Sequence, residues 1–135
     1  MDTFSKSERS RIMRLVRSQD TQPEIIVRKL LHREGFRFRL HRKDLPGKPD
    51  LVLTKHHTVI FVHGCFWHRH QGCKEASTPA TRRAYWLPKF QRTVERDKKN
   101  KRILVKLGWR VLVIWECETK KEEKLKKRLF RMLQY

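Results

Sequence analysis

The segment His63-Gly64-Cys65-Phe66-Trp67-His68-Arg69-His70-Gln71-Gly72-Cys73 constrains this chain more than any other. It holds two of the three cysteines and three of the seven histidines. The third cysteine, Cys117, lies far downstream in Trp115-Glu116-Cys117-Glu118. Structural zinc takes four tetrahedral nitrogen and sulfur ligands, and Cys65, His70, Cys73 and Cys117 make up such a set. A fold that satisfies it must carry residue 117 back to the 65–73 loop. His63 and His68 are then spare histidines beside a rigid clip, although His68 can also replace His70 as a ligand. Phe66 and Trp67 sit inside the clip. With an odd cysteine count and no export signal, metal is a better use of these thiols than disulfides.

The charge points to a polyanionic partner. Lys and Arg number 34 against 14 Asp and Glu, a formal net charge of +20 on 135 residues. A compact domain with that excess repels itself unless a polyanion neutralises it. Nucleic acid is the expected partner. A solvated basic surface, or a ribosomal or heparin-type binder, is the bland alternative. No apolar run approaches the ~20 residues that span a bilayer. Met1-Asp2-Thr3-Phe4-Ser5-Lys6 lacks the apolar stretch of a signal peptide. A cytoplasmic, nucleoid-associated protein without membrane contact is the expectation.

The length suits one domain over residues 1–135. Residues 1–20 are polar and basic, with a weak helical stripe at Ile12, Met13, Leu15 and Val16. They read either as an N-terminal arm that orders on DNA or as an ordinary amphipathic helix. A helix is expected from Thr21, its N-cap, to about Glu34, stopped by Gly35. Phe36 to Leu40 alternates apolar and basic residues, as a half-buried strand does. Asp50–Thr54 and Thr58–Val62 read as two further strands. Thr81 to about Leu107 reads as a helix with a break near Pro88. Trp109–Trp115 is apolar on nearly both faces, which suits a central strand covered on two sides. Glu118–Leu133 reads as a closing helix. The fold class is α/β, a three-layer domain of helices around a small central mixed sheet.

Asp50 carries a second signal. It follows Pro49, begins an apolar strand, and lies one hairpin from Val62-His63-Gly64. PD-(D/E)xK nucleases place a metal-binding carboxylate in this way. Phosphodiester cleavage uses such a group to hold Mg²⁺. Pro-Asp is also common in turns, and a strand-entry role for Asp50 competes. The second half of that motif is missing, because Val62 and Gly64 are neither acidic nor lysine.

The runs Leu45-Pro46-Gly47-Lys48-Pro49-Asp50-Leu51-Val52 and Val59-Ile60-Phe61-Val62-His63-Gly64-Cys65-Phe66-Trp67-His68 resemble the very-short-patch-repair (Vsr) DNA mismatch endonucleases. So do Pro79-Ala80-Thr81-Arg82, Tyr85-Trp86-Leu87, Val94-Glu95-Arg96-Asp97 and Leu107-Gly108-Trp109-Arg110-Val111-Leu112, through to Trp115-Glu116-Cys117. The resemblance spans roughly residues 8 to 118. It implies a restriction-endonuclease-like fold with a variant active site and a structural zinc. It also implies a Mg²⁺-dependent, strand-specific enzyme that nicks 5′ to the thymine of a T·G mismatch, the product of 5-methylcytosine deamination. Double-stranded DNA with that mismatch and mismatch-repair proteins are the implied partners, and the expected enzyme is a monomer.

The resemblance also assigns roles. Asp50 matches the Mg²⁺-binding aspartate. Val62 stands where a backbone carbonyl reaches the metal; threonine is usual there, and a backbone ligand tolerates valine. His68 matches the general base, and His63 and Glu24 match supporting active-site residues. Cys65, His70, Cys73 and Cys117 match the zinc ligands. Phe66, Trp67 and Trp86 match an aromatic wedge that enters the base stack. Gln71-Gly72 stands where better-known members carry a denser histidine run.

Plainer readings compete for several of these residues. Glu24 is also a capping-box glutamate three residues after Thr21. Trp67 and Trp86 could be core aromatics, and Trp109 and Trp115 read as core. His41, His56 and His57 read as solvated loop residues. Glu95 and Asp97 are explained by ion pairs with Arg92, Arg96 and Lys98 on one helix. The rival functions are a restriction-type nuclease on matched DNA, a ββα-metal nuclease, and a zinc-stabilised DNA-binding module without catalysis.

Overall fold

The computed structural model describes residues 20–133. The arm or helix expected over residues 1–20 therefore lies outside the described residues, apart from Asp20. The elements in chain order are α1 (Gln22–Arg33), β1 (Arg39–Leu40), β2 (Leu51–Leu53), β3 (Thr58–His63), α2 (Arg83–Lys106), β4 (Arg110–Trp115) and α3 (Glu122–Leu133). Short 3₁₀ turns cover Thr54–His56, Lys74–Ala76 and Glu116–Lys120.

Local chemistry sets the helix ends. Thr21 caps α1 by accepting from the Glu24 N–H at 3.3 Å, as an N-cap hydroxyl does. At the other end Gly35 takes φ +92°. Its N–H donates to His32 O at 3.1 Å, and the Phe36 N–H donates to Leu31 O at 3.0 Å. This is the Schellman pair of bonds, which needs a left-handed residue and so favours glycine. The end of α2 repeats the device. Gly108 takes φ +95°, its N–H donates to Val105 O at 3.0 Å, and the Trp109 N–H donates to Leu104 O at 3.0 Å. Gly108 thereby turns the chain from α2 directly into β4.

The four strands form one sheet in the order β1-β2-β3-β4. β1 pairs antiparallel with β2, and β2 antiparallel with β3. β3 and β4 run parallel. The parallel pair needs a crossover, and α2 supplies it. Leu51, Leu53, Ile60, Leu112 and Ile114 face one side, against Val27, Leu30 and Leu31 of α1 and Leu125, Leu129 and Leu133 of α3. Val52 and Val59 face the other, with Leu104 of α2 and Leu45 of the 41–50 loop. Helices on both faces of a mixed sheet make the α/β layering that the sequence implies.

Three details differ from expectation. Only Arg39–Leu40 of the Phe36–Leu40 stretch pairs as strand, because Phe36 is still part of the helix exit; Phe36 and Phe38 instead pack against the α1/α3 core. β4 is covered on both faces but is an edge strand, bonded among the described residues to β3 alone. Hydrophobicity on two faces reports helices above and below, and says nothing about neighbours in the sheet. α2 begins at Arg83, after Arg82 adopts φ +57°, and it continues unbroken through Pro88. Pro88 is the sixth residue of this 24-residue helix, so it forgoes one bond, to the Ala84 carbonyl, while the rest of the ladder is kept.

Leu129 is fully buried, whereas Val105 on α2 is 54% exposed. Leu129→Ala is expected to lower unfolding free energy by about 2–5 kcal/mol. Val105→Ala should change it by no more than about 0.5 kcal/mol. Urea denaturation of the two variants separates these outcomes.

Candidate active site and metal centre

The register Val62↔Ile114 and His63↔Trp115 ends β3 and β4 at the same level. The 64–73 loop and the Glu116–Lys120 turn therefore leave the sheet side by side. The Cys117 N–H donates to Cys65 Sγ at 3.4 Å. His70 Nδ1 lies 3.6 Å from Cys65 Sγ and 3.4 Å from Cys117 Sγ. The ligand atoms of Cys65, His70, Cys73 and Cys117 all lie within 4.8 Å of one another. Tetrahedral zinc, with Zn–S about 2.3 Å and Zn–N about 2.0 Å, sets a sulfur and a nitrogen about 3.5 Å apart. The observed separations match that spacing, and the donor set fits the metal. Burial raises the Cys65 thiol to about 12 and also raises Cys117. Thiols this close are costly to ionise without a cation among them.

Arg69 divides the loop. It takes φ +55°, and its guanidinium donates to Phe66 O and Ser77 O, both at 3.2 Å, and to Thr78 Oγ1 at 2.9 Å. The left-handed turn sends His70 toward the cysteines and His68 the other way. His68 stacks on His63, ring centroids 3.8 Å apart and planes 6° from parallel. His68 Nδ1 lies 2.7 Å from Asp97 Oδ2 on α2. The carboxylate accepts, so Nδ1 carries the proton and Nε2 is left as a proton acceptor. Asp97 was expected only to pair with basic neighbours on its own helix. Its companions Arg92, Arg96 and Lys98 disguise it in the sequence, and only the tertiary fold shows its contact with His68.

His63 is almost fully buried. Burial first, then the neighbouring His68, pushes its pKa down to about 4. A histidine so hard to protonate is a weak base near neutral pH. Trp115 lies between the two histidine groups. It stacks on His70 at 4.3 Å and meets His63 edge-on at 5.4 Å. It therefore forms a wall of the site and is only partly buried, rather than being a core residue.

Asp50 precedes β2, and its Oδ2 accepts from the Val62 N–H at 2.7 Å. That bond sets the carboxylate beside the strand end bearing His63. Burial raises the Asp50 pKa to about 7; the Val62 N–H opposes the shift and the adjacent Glu24 carboxylate adds to it. Glu24 is 1% exposed. Its backbone takes part in the Thr21 cap, while its carboxylate contacts Arg28 and lies 2.8 Å from His41 Nε2. His41 is therefore no solvated loop residue. Nor is His56, which packs at 5.3 Å from Phe36; His57 is exposed, as expected. A buried carboxylate, Glu24, beside the partly buried Asp50 with its raised pKa, forms a place where a divalent cation would be held in exchange for a proton.

The aromatic residues gather on the other side of the 64–73 loop. Phe66 meets Trp67, Phe90 and Trp86 edge-on at 5.1, 5.2 and 5.6 Å. Trp67 and Trp86 are 5.7 Å apart. Phe66 and Trp67 are half-buried, whereas Trp86 is only 4% exposed. Trp86 thus backs the group from α2. The Arg69 guanidinium lies 3.9 Å over the Phe90 ring.

The chain matches the family described as DNA mismatch endonuclease Vsr over residues 1–75. It is 48% identical to the type II nicking enzyme V.XorIIP of Xanthomonas oryzae pv. oryzae, over 98% of this chain and 96% of that protein. It is 44% identical to the type II nicking enzyme V.NmeAIP of Neisseria meningitidis, covering 98% and 94%. Identity to the DNA mismatch endonuclease Vsr of Escherichia coli is 44%, covering 92% and 79%. Among solved structures, the catalytic domain of the homing endonuclease I-Bth0305I superposes with a TM-score of 0.59 at 22% identity, covering 84% and 94%. That likeness concerns the fold alone. No helix among the described residues is long and apolar enough to cross a membrane.

The Asp50 shift makes a prediction about stability. Its carboxyl is raised from 3.8 to about 7 in the folded state, so ionisation opposes folding. The penalty is absent below about pH 4, grows as pH rises and is complete above about pH 7. Asparagine is neutral and can still accept the Val62 N–H. Without added magnesium, Asp50→Asn should be more stable than wild type at pH 8 by roughly 2 kcal/mol or more. The gap should close toward pH 4. Equal melting at pH 8, or a gap that widens in acid, contradicts this account.

Proposed function

The chain belongs to the Vsr DNA mismatch endonuclease family and is a DNA-nicking endonuclease, and from that premise we propose that it cuts 5′ to the thymine of T·G mismatches in a Mg²⁺-dependent reaction on a zinc-stabilised scaffold. The observation that carries the reading is the His68–Asp97 pair, set beside the Val62 N–H that anchors Asp50.

In this reading Asp97 holds His68 in one tautomer. Nε2 then takes a proton from the attacking water, the division of labour of a carboxylate-oriented histidine base. His63 stays neutral against the His68 ring and adds no competing charge. Asp50 and Glu24, with the Val62 carbonyl, would hold the divalent cation. When bound, that cation neutralises charge on the scissile phosphate and the leaving 3′ oxygen. Lysines and arginines contact the flanking phosphates, giving an affinity that falls with salt. Cys65, His70, Cys73 and Cys117 would hold zinc, tying the 65–73 loop to the end of β4.

Phe66 and Trp67 are the side chains placed to enter a base stack, with Trp86 behind them. Base–aromatic stacking contributes about 1–3 kcal/mol per base, against a few kcal/mol to unstack a step. The balance is close enough for the weaker T·G surroundings to decide entry. The Xanthomonas and Neisseria relatives are named type II nicking enzymes, and the second reading is a restriction-type nuclease that accepts matched DNA on the same scaffold.

Two experiments test these statements. One zinc per chain should co-purify, and Cys117→Ser should unfold or badly destabilise the protein, since structural zinc contributes on the order of 10 kcal/mol. A metal-free preparation with an unaltered melting curve rules the zinc out. The second experiment compares nicking of duplexes that differ only in T·G, other mismatches or T·A at one position. T·G should be cut preferentially, and His68→Ala should cut it roughly 10²-fold more slowly or worse. Equal cutting of T·A and T·G selects the second reading. An unimpaired His68→Ala removes His68 from the chemistry.

A further inference from the structure

We infer that His41 is a positioning residue that sets the separation of Glu24 and Asp50. This rests on the reading of those two carboxylates as the cation-holding pair.

His41 touches both members of the pair through different atoms. Its backbone N–H donates to the Asp50 carbonyl at 3.1 Å. Its imidazole Nε2 lies 2.8 Å from Glu24 Oε2. An ionised carboxylate only accepts, so Nε2 is the donor and the imidazole is held in one orientation. Besides the neighbouring Asp50 carboxyl, Glu24 has the side-chain partners Arg28 and His41. Arg28 is four residues along the same helix, so that ion pair cannot fix α1 against the sheet. His41 directly follows β1, so its bond runs from the helix layer to the sheet layer.

The backbone is bent to make this contact. His41 takes φ +50°, a left-handed conformation uncommon for non-glycine residues. The bond to Asp50 involves only the backbone and does not require the ring to turn inward. Yet the ring is inward, its side chain 15% exposed and directed at a carboxylate that is 1% exposed. Such outer-shell contacts orient metal ligands and commonly change metal affinity by 10–100-fold when removed. Asp20, Glu24 and His41 could together suggest another cation site. The Arg28 guanidinium contacts both carboxylates, so that position already holds a positive group.

The test uses the zinc-loaded full-length protein. Mn²⁺ binding is followed by the electron paramagnetic resonance of the free ion, alongside the Mg²⁺ concentration for half-maximal nicking. His41→Ala should weaken Mn²⁺ binding roughly tenfold or more and raise the Mg²⁺ requirement by a similar factor. Nicking at saturating Mg²⁺ should fall much less. His41→Gln, whose amide can donate over a similar reach, should restore most of the affinity. His41→Asn, whose amide stops short of Glu24, should behave like alanine and serves if the alanine variant is unstable. A purely structural role would lower melting without shifting Mn²⁺ affinity. Wild-type Mn²⁺ affinity in His41→Ala or His41→Asn overturns the inference while leaving the cation reading intact. If Asp50→Ala also binds Mn²⁺ normally, the cation reading fails and this inference with it.

Discussion

The parallel pairing of Thr58–His63 with Arg110–Trp115 is the contact from which the site follows. Two parallel strands finish at the same end of a sheet. The loop after the first and the turn after the second therefore leave from neighbouring points, although more than fifty residues separate them in sequence. Cys117 reaches Cys65 for this reason, and Trp115 can stand between His63 and His70. The crossover helix α2 is the cost of that pairing, and it too is used: Leu104 covers the second face of the sheet, and Asp97 reaches His68.

Around that end of the sheet, unlike electrostatic environments lie close together. Cys65, Cys117 and Asp50 are crowded groups that resist ionisation, while the chain as a whole carries +20. The excess positive charge is spread over the surface, notably along α2 with Lys89, Arg92, Arg96, Lys98 and Lys99. The Glu24 carboxylate is buried and Asp50 is partly so. In the proposed function a polyanion is drawn to the surface and the acidic pair holds a cation at the strand end. His63 separates the two regimes by staying neutral.

How much of this was legible in the sequence depended on how local each signal was. The convergence of Cys65, His70, Cys73 and Cys117 could be read because cysteine is scarce here and three of the four donors share one short loop. The glycine helix stops at Gly35 and Gly108 could be read because their physics is local. Asp97 could not, since a carboxylate among arginines and lysines on a helix already has an adequate explanation. His41 was hidden more deeply. Its role depends on a left-handed backbone turn and on a helix seventeen residues earlier, neither of which marks residue 41 itself. The edge position of β4 was invisible because apolar residues record what lies above and below a strand, and hydrogen-bonded neighbours leave no trace in them. Trp86 was ambiguous for the same reason: an aromatic on a helix looks alike whether it faces solvent or, as here, backs two other rings.

The left-handed turn at Arg69 has a consequence for how this loop can change over time. His68 and His70 are two residues apart and serve opposite sides, and one peptide unit with positive φ separates their duties. Loss or gain of a single residue between Cys65 and His70 would shift a histidine off its place or break the two-residue spacing, so that His68 and His70 no longer meet Asp97 and the sulfurs together. The stretch from Gln71 to Cys73 has no such duty beyond returning a thiol, and Gly72 at φ +73° already supplies a flexible corner there. Length variation is therefore tolerable on one side of His70 and ruinous on the other. A single loop thus has a fixed reading frame in its first half and a free one in its second.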